Sequence, residues 1–570
     1  MLSPATSVHA SIQRVAKRTA VEAHAFVTVA RAGMLGLGPP RRALEIGQAL
    51  RRFGPIGGGI VVAAIRYGER TALLDDRGGL SFVDLDLRSN ALAHALAAQG
   101  VGAGSGIGIM CRNHRGFLDS TLAAAKAGAR TVFLNTDFAG PQLRQVCARE
   151  GVEALIYDEE FTDVAEGVTT PKGRILAWTD TATDQLTLDT LIADGDTRRP
   201  EPPGQESTIV VLTSGTTGTP RGATRPQSRS LVVPGAVLSK IPFRRYEATL
   251  VAPPMYHAWG LVAMGIQLAI GSAMVLRRRF DPAQALDLLG RHHCTGMVVV
   301  PTMLRRILAL GPQVVADRDL SRLRIIATGG SQLDGALASH TMDAFGDILY
   351  NVYGSTETSY ATIATPADLR AAPGCAGRPP FGSTVRIMDD EGRPLPAGQT
   401  GRIFVGNFSQ FHGYTGGGGK EVVDGLMSIG DVGHFDQMGR LFVDGRDDEM
   451  IVSGGENVFP REVEDLLASH DAVEEAAVVG VPDEVFGERL RAFVVLRAGG
   501  VLSADGVREL VRANLARHKV PRDVVFLAEL PRNHAGKVLK RELRSLSPRS
   551  SPIGRHPKIT DLAGSEPGDQ

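Results

Sequence analysis

The sequence is poor in cysteine and carries no net charge. Its cysteines lie far apart and form no Cys-x-x-Cys pair; they are Cys111, Cys147, Cys294 and Cys375. This pattern excludes a disulfide-stapled secreted scaffold and a cysteine-rich zinc module, and it favours a reducing compartment. Lys plus Arg and Asp plus Glu each total 62, so the formal net charge is +0. A neutral chain has no overall attraction to nucleic acid, which argues against a dedicated nucleic-acid binder.

A cleaved secretory signal is not predicted either, since no clean apolar core precedes a small-residue cleavage site near the start. Glycine, by contrast, is abundant, with 67 of 570 residues. That is about 12% against a usual 7%, and it indicates tight turns or close backbone approaches to a ligand. At roughly 150 residues per domain, the length predicts two or more domains.

The first 62 residues are unusually basic. They hold eight basic residues against Glu22 and Glu45, which gives a local net charge of +6. Apolar residues between the basic ones have a loosely helical spacing. We predict a basic helical extension over 1–62. A solvated helix in a cytoplasmic protein and an amphipathic segment resting on an anionic membrane surface both fit this pattern.

Downstream, helical stretches such as 82–99 alternate with short apolar strand candidates. The strand candidates are 106–111, 131–135, 154–158, 208–214, 297–301 and 324–330. This alternation predicts βαβ units and a mostly parallel sheet. After about residue 383 the segments shorten and turns become frequent, which indicates β-hairpins. The stretch 546–570 is rich in Ser, Pro and Gly and is predicted to be a disordered tail.

One apolar segment, from Val251 to Leu276, has no formal charge and precedes three arginines. That resembles a short transmembrane span with a basic flank. However, Gln267 lies in the middle of the run, and Gly271-Ser272 interrupts it. We therefore predict a buried helix followed by a buried strand.

The strongest motif runs from Thr213 to Gly222, directly after an apolar strand. Its sequence, TSGTTGTPRG, is rich in Gly, Ser and Thr and has Arg221 near its end. Glycines free backbone N–H groups for anion binding, hydroxyls add donors, and the arginine adds charge. These features predict a phosphate cradle. It is not a Walker A loop, because no Gly-Lys-Ser/Thr follows.

This loop closely resembles the signature loop of the adenylate-forming superfamily, which includes acyl-CoA synthetases, adenylation domains and luciferases. Four further motifs follow in the family's order, at 353–357, 430–431, 445–458 and 531–537, and the whole pattern is most like bacterial fatty acyl-CoA ligases. The resemblance implies an α/β fold with a large N-terminal domain of βαβ-type sheets and a β-rich subdomain, plus a small mobile α+β C-terminal domain. We place the adenylation domain at 63–446 and the mobile domain at 447–545.

The resemblance also assigns roles to individual residues. Lys537 is expected to be the catalytic lysine, with Thr356 and Glu357 beside it and Glu357 holding Mg²⁺. The expected ATP/AMP-binding residues are Thr213, Ser214, Gly215, Thr216, Thr217, Gly218, Arg221, Gly329, Gly330, Tyr353, Gly354, Asp431 and Arg446. Asp448 matches the hinge. The expected CoA path is Ser453, Gly454, Gly455 and Glu456. His257 matches a gate at the acyl pocket, and a partly buried structural histidine is its other interpretation.

The implied reaction joins a carboxylic acid to CoA through an acyl-AMP intermediate, with ATP and CoA as co-substrates and Mg²⁺ as cofactor. Medium- or long-chain fatty acids are the expected substrates, because no charged residue occurs in the pocket segments near His257 and Gly329. A fatty acyl-AMP ligase or an enzyme loading a carrier protein remains an alternative. A non-catalytic nucleotide- or acyl-binding paralogue is a second one. His292-His293-Cys294 lacks a second zinc-like ligand cluster and is interpreted as core.

Three positions depart from the family pattern. Arg221 stands where lysine is usual, Ile429 replaces a threonine before Gly430-Asp431, and Leu426-Met427 replaces an aromatic pair. Charge is retained at the first position, but a planar guanidinium does not bind phosphate as an ammonium does. None of the three changes removes an essential charge, so an active enzyme is expected.

Overall fold

The chain folds into two compact units in the computed structural model. The described residues are 4–36, 39–213, 220–225, 227–411, 413–447, 451–453, 456–483, 487–515, 519–533 and 536–546. The larger unit comprises Met1–Asp447 together with Asn533–Lys537, and the smaller comprises Asp448–Arg532 and Val538–Gln570. The tail expected over 546–570 lies outside the described residues except for Leu546.

The larger unit contains two mainly parallel sheets. The first has the strand order β14-β13-β12-β11-β9-β10-β1-β2. Its strands are β1 (Thr71–Asp75), β2 (Gly78–Ser81), β9 (Ala248–Val251), β10 (Ala273–Val275), β11 (Gly296–Val299), β12 (Ile325–Gly329), β13 (Leu349–Tyr353) and β14 (Thr362–Ala364). Only the edge pairs β1–β2 and β13–β14 are antiparallel. Buried parallel strands explain the continuous apolar runs in the sequence.

The second sheet has the order β6-β5-β3-β4-β7-β8 and is parallel except for its β7–β8 hairpin. Its strands are β3 (Gly106–Met110), β4 (Arg130–Phe133), β5 (Ala154–Asp158), β6 (Arg174–Trp178), β7 (Thr208–Thr213) and β8 (Arg221–Arg225).

The third sheet is antiparallel. It contains β15 (Thr384–Met388), β16 (Gly401–Gly406), β17 (Val422–Val423), β18 (Leu426–Phe435) and β19 (Leu441–Arg446). These three sheets confirm the predicted fold class.

Helices connect and cover these strands. They are α1 (Pro4–Arg31), α2 (Pro40–Tyr67), α3 (Phe82–Ala98), α4 (Arg115–Lys126), α5 (Gly140–Arg149), a 3-10 turn (Glu159–Phe161), α6 (Thr162–Ala165), α7 (Leu188–Ala193), α8 (Val232–Leu238), α9 (Ala258–Ile270), α10 (Pro282–Arg291), α11 (Pro301–Leu308), α12 (Pro312–Ala316), α13 (Gly335–Phe345) and α14 (Pro366–Ala371). Ser81 begins α3 with a capping box: its side chain accepts from the Asp84 N–H, and the Asp84 carboxylate accepts from the Ser81 N–H. This reciprocal cap explains why the helix starts directly after β2.

The N-terminal helices differ from the expected extension over 1–62. Helix α2 continues to Tyr67 without a break at residue 63, although it kinks at Gly54, whose φ is 69°, just before Pro55. Beyond the kink it buries Ile60 and Tyr67 in the main core of the larger unit. The expected boundary therefore falls inside a helix, because the second half of α2 supplies core surface.

The apolar segment 251–276 forms the end of β9, helix α9 and strand β10, so the predicted helix and strand are confirmed. Gly271 ends α9 in a left-handed conformation, with a φ of 72°. Gln267 is fully buried, and its Oε1 accepts a hydrogen bond of 3.2 Å from Thr249 Oγ1. No helix in the described part of the chain is long and apolar enough to cross a membrane.

The smaller unit is an α+β fold with its own apolar core. Its elements are β20 (Ile451–Ser453), β21 (Glu456–Val458), α15 (Pro460–Ala468), β22 (Val473–Asp483), β23 (Gly487–Leu496), α16 (Ala504–Asn514), β24 (Asp523–Phe526) and α17 (Lys540–Ser545). Strands β22 and β23 form a long antiparallel pair, and β24 runs parallel to β23.

Candidate active site

The predicted phosphate cradle lies between the two strands of the β7–β8 hairpin. Thr213 and Arg221 face each other in the ladder, and Thr213 Oγ1 donates to the Arg221 carbonyl at 3.1 Å. Ser214, Gly215, Thr216, Thr217 and Gly218 lie outside the described residues. The structure therefore fixes the two ends of the loop at the carboxyl end of a buried strand.

The predicted Glu357 lies in the loop between β13 and β14 and is 7% exposed. Its N–H donates to Ser355 Oγ at 3.2 Å. The loop is compact because Gly354 has no side chain: a Cβ there would lie 2.6 Å from Tyr360 Cα. Ser359 has a φ of 63°, so the chain reverses sharply just after the glutamate.

Arg225, at the end of β8, ties the hairpin to this loop. Its guanidinium donates to the Thr356 carbonyl and to Ser359 Oγ. Its Nε is buried and has no hydrogen-bond partner among the described residues. Burial lowers the pKa of Arg225 to about 10, and the nearby Glu357 carboxylate opposes that shift. Arg225 therefore joins the end of β8 to the loop that carries Glu357.

Tyr414 makes a second connection between the same two segments. Its hydroxyl donates to Glu357 Oε1 at 2.6 Å, and the Arg221 guanidinium lies 5.7 Å from its ring centroid. Tyr414 also pairs by its backbone with Ala223 of β8. Burial and the adjacent carboxylate raise the pKa of Tyr414, so it stays a protonated donor at neutral pH. The arginine at position 221 is thus placed to stack on an aromatic ring, which suits a planar guanidinium.

Sequence reasoning missed both Arg225 and Tyr414. Arg225 had a usable signal: on a strand, residues 221, 223 and 225 share one face, so a second arginine accompanies the predicted one. Tyr414 has a weaker signal, as an aromatic residue inside the glycine-rich stretch 413–419. Their role depends on contacts between segments more than 50 residues apart.

A buried carboxylate in this position suits a magnesium ion. Glu357 offers a hard oxygen ligand, and its described hydrogen-bond donor is the neutral phenol of Tyr414, not a competing cation. Glu357 is thus the residue that would hold Mg²⁺ beside the phosphate loop, and such an ion would neutralise charge on the outer phosphates.

The predicted ribose site forms a second polar cluster on the third sheet. Asp431 on β18 faces Arg446 on β19. Tyr353 donates to Asp431 Oδ2 at 2.6 Å, and Arg446 Nη1 donates to Oδ1 at 3.1 Å. Burial raises the pKa of Asp431, opposed chiefly by the charge of Arg446. Three predicted residues therefore meet here, and each carboxylate oxygen already has one donor.

The departures next to this cluster have a structural reason. Ile429 is 1% exposed and belongs to the apolar core of the third sheet. Leu426 and Met427 are buried as well. At these positions buried apolar side chains stand where the family pattern has a hydroxyl group and aromatic rings.

The predicted acyl-pocket residues lie around the start of α9. His257 precedes the helix, and its Nε2 is buried without a hydrogen-bond partner in the described ranges. Burial, assisted by the charge of Lys537, lowers the pKa of His257 to about 4, so the ring is neutral at pH 7. Gly329 and Gly330 approach Trp259: an added Cβ would lie 3.5 and 3.9 Å from it. Sequence reasoning did not single out this tryptophan.

The terminal lysine motif groups with the larger unit, over Asn533–Lys537. Gly536 has a φ of 78°, and an added Cβ would meet Thr302 Oγ1 at 2.4 Å, so glycine is required there. The charge of Lys537 adds to the burial that lowers the pKa of His257, and it opposes the burial that raises the pKa of Asp431. The lysine is therefore near the predicted ribose and acyl residues.

The remaining predicted positions are described only in part. Asp448, Gly454 and Gly455 lie outside the described residues. Ser453 and Glu456, both expected on the CoA path, pair with each other at the ends of β20 and β21.

Three residues of types that can bind a metal lie together elsewhere in the larger unit, and hydrogen bonds account for their arrangement. Cys111, His114 and Asp158 have ligand atoms within 4.8 Å of one another. His114 Nδ1 accepts from the Gly116 N–H, so Nε2 carries the proton that Asp158 Oδ1 accepts at 2.8 Å. The lone pair on Nδ1 accepts this backbone hydrogen bond and is not available to a metal ion, so we interpret the cluster as structural.

Comparison with known proteins agrees with this geometry. Residues 61–415 match the family model described as AMP-binding enzyme, and residues 462–537 match the AMP-binding enzyme C-terminal domain. The chain therefore belongs to the AMP-binding enzyme family, within the adenylate-forming superfamily that its motifs predicted.

Several characterised relatives are similar over most of their length. An indoleacetate–CoA ligase of Aromatoleum aromaticum is 33% identical over 86% of this chain and 96% of its own. A fatty acid–[acyl-carrier-protein] ligase of Streptomyces coeruleorubidus is 31% identical over 83% and 92%. The solved structure of o-succinylbenzoate CoA synthetase from Bacillus subtilis, in complex with its acyl-adenylate intermediate, has a TM-score of 0.75 at 27% identity, covering 86% of this chain and 98% of that one. Family, fold and relatives support a ligase of the acyl- or aryl-CoA class that acts through acyl-AMP.

Proposed function

We propose that this protein is an ATP-dependent acid–thiol ligase that converts a medium- or long-chain fatty acid to acyl-CoA through acyl-AMP, releasing AMP and pyrophosphate. The observation that carries the proposal is the connection of the β7–β8 hairpin to the Glu357 loop by Arg225 and Tyr414. This connection supports a single site that combines the predicted phosphate loop with a carboxylate suited to Mg²⁺.

In the first half-reaction the acid carboxylate attacks the α-phosphorus of ATP, so two anions must approach each other. Lys537 would neutralise the charge that develops between the carboxylate and the α-phosphate, since a flexible ammonium can reach both. Asp431 would orient the ribose while Tyr353 and Arg446 hold the aspartate in place. A bound Mg²⁺ on Glu357 would supply charge neutralisation at the outer phosphates.

The second half-reaction needs the thiol of CoA to reach the acyl carbonyl. We assign Asp448 as the hinge about which the smaller unit turns, as in the family motif, and the turn between Ser453 and Glu456 as part of the CoA path. Segments of the smaller unit precede and follow Asn533–Lys537 along the chain, so such a rotation would carry Lys537 away once the adenylate has formed.

The choice of a fatty acid has support in the apolar environment of the pocket segments. Helix α9 has no charged residue, and His257 at its start is neutral. A charged acid tail would be costly to bury in such surroundings. Two relatives are named as a CoA ligase for an aromatic acid and a fatty acid ligase for acyl carrier protein. The second name makes transfer to a carrier protein the alternative function.

The test is to measure pyrophosphate release across straight-chain acids of graded length and across aryl acids, with CoA, with acyl carrier protein and with neither acceptor. We expect acid-dependent pyrophosphate release with medium- or long-chain acids and a thioester product only with CoA. Preference for indoleacetic or ferulic acid would overturn the substrate class. Thioester formation on the carrier protein alone would favour the alternative.

A further inference from the structure

The larger unit contains an apolar cavity that the motifs do not explain. Its volume is about 1360 Å³, above the roughly 300–1,000 Å³ of common ligand pockets. Helices α1, α2 and α9 supply much of its wall. Apolar lining residues include Phe26, Met34, Leu50, Val62, Leu261 and Ile266.

Part of the cavity wall belongs to residues of the candidate active site. Arg225 and Ser359 both line it. Arg225 donates both to Ser359 Oγ and to the Thr356 carbonyl of the Glu357 loop. Ser359 Oγ also lies 2.7 Å from Ser409 Oγ, and Ser409 is another lining residue. The cavity and the predicted phosphate site therefore share a wall.

Part of the cavity lining on α1 and α2 is exposed to solvent. Phe26 and Leu50 line the cavity but remain 56% and 38% exposed. Arg42, Arg51 and Arg66 line it as well. A lining that combines exposed apolar side chains with guanidinium groups suits an amphiphile whose acid group is negatively charged.

We propose that this cavity takes the distal aliphatic chain of the acid substrate, and that the α1–α2 segment sets the chain length the enzyme accepts. The inference rests on the proposed function and adds to it an element that sets the preferred chain length. Helix α1 and most of α2 precede residue 61, where the match to the family model begins. An apolar chain gains about 25 cal/mol for each Å² of surface it buries, so a wall that lengthens the cavity favours longer acids.

Two glycines allow the cavity to be filled without disturbing the fold. Gly59 on α2 and Gly265 on α9 both line it, and an added Cβ at either position would meet no described atom within 4 Å. Both lie in helices, where a side chain is better tolerated than glycine. Gln48, exposed on α2 and absent from the lining, offers a matched position for the same substitution.

The experiment compares kcat/KM for hexadecanoic and octanoic acids in wild type, Gly59→Phe, Gly265→Phe and the control Gln48→Phe. We expect each glycine variant to lower the hexadecanoate-to-octanoate ratio at least ten-fold while octanoate activity stays within two-fold of wild type. The control should keep the wild-type ratio. An unchanged ratio in both glycine variants, or an equal loss for both acids, would overturn the proposal.

A binding measurement separates this inference from the reaction itself. Displacement of a pyrene-labelled hexadecanoic acid by unlabelled hexadecanoate reports occupancy without ATP or CoA. Weaker binding in Gly59→Phe, with wild-type binding in Gln48→Phe, would support the cavity assignment even if the acceptor thiol proved not to be CoA. Equal affinity in all variants would contradict it, whatever acceptor the enzyme uses.

Discussion

The nucleotide site and the apolar cavity share a wall but are built in different ways. The candidate nucleotide site consists of charged and hydroxyl side chains from short motifs, and those described lie at strand ends or in tight turns. The cavity consists of apolar side chains spread over long helices, two of which lie largely before the family match. Arg225 belongs to both, since it binds the Glu357 loop and lines the cavity.

This difference indicates which parts of the enzyme are constrained. Chemistry at a triphosphate needs specific donors at fixed distances, so it requires particular residue types. An aliphatic chain needs only volume and apolar surface, which many sequences provide. Substitutions in the two regions should therefore affect different quantities, namely the rate of adenylation and the range of acids.

The largest expected effect is that of Lys537→Ala. Removing the ammonium should lower the rate of acyl-adenylate formation by about 10²–10³-fold, because developing charge loses its stabilisation. Thioester formation from a supplied acyl adenylate should remain within a few-fold of wild type. Lys172→Ala, which removes a surface lysine paired with Glu153, is the control and should leave both steps unchanged. Equal losses in the two half-reactions would contradict the assigned role.

A smaller effect is expected for Tyr414→Phe. The substitution removes the hydroxyl that donates to Glu357 Oε1 and keeps the ring beside Arg221. Hydrogen bonds to charged groups contribute about 1.5–3 kcal/mol, so adenylation should slow by roughly 10- to 100-fold, with the preference among acids unchanged. Tyr350→Phe, at a tyrosine packed against the main core, is the control. A changed chain-length preference in Tyr414→Phe would mean that the two regions are not separable.

The smallest effect concerns stability and pH at His257. Its folded pKa of about 4 lies below the usual 6.5 of an unfolded histidine. The unfolded state therefore binds more protons in this range, and stability falls as pH decreases from about 6.5 toward 4. Between pH 7 and pH 5, the unfolding free energy of wild type should fall by about 1–2 kcal/mol more than that of His257→Gln. Parallel pH profiles for the two proteins would show that the histidine is not buried in its neutral form.

Much of the fold was predictable because buried parallel strands leave continuous apolar runs. Strands β3, β5 and β7 were predicted from such runs. Glu357 and Asp431 were predicted as nucleotide-site residues from motifs, and they stay predictions. Helix α2 runs past the boundary predicted at residue 63, since glycine and proline at 54–55 kink it without ending it. Tyr414 could not be predicted as a site residue, because it reaches the site through a contact with Glu357, 57 residues away in the sequence.

The cavity is a further feature that pattern analysis could not provide. Phe26 and Leu50 resemble ordinary amphipathic positions in sequence, and only the packing of α1, α2 and α9 places them around one space. Local periodicity reports which face of a helix is apolar, but it does not report whether two apolar faces meet or leave a gap.

The most direct test of the account is a double-mutant cycle between Arg225→Met and Glu357→Gln, measured by acid-dependent exchange of pyrophosphate into ATP. If the β7–β8 hairpin and the Glu357 loop form one site, the two losses should be strongly non-additive, with a coupling of about 1–3 kcal/mol and a double variant little slower than Glu357→Gln alone. Additive losses, with no coupling beyond about 0.5 kcal/mol, would mean that the two segments act independently and would contradict the proposed site.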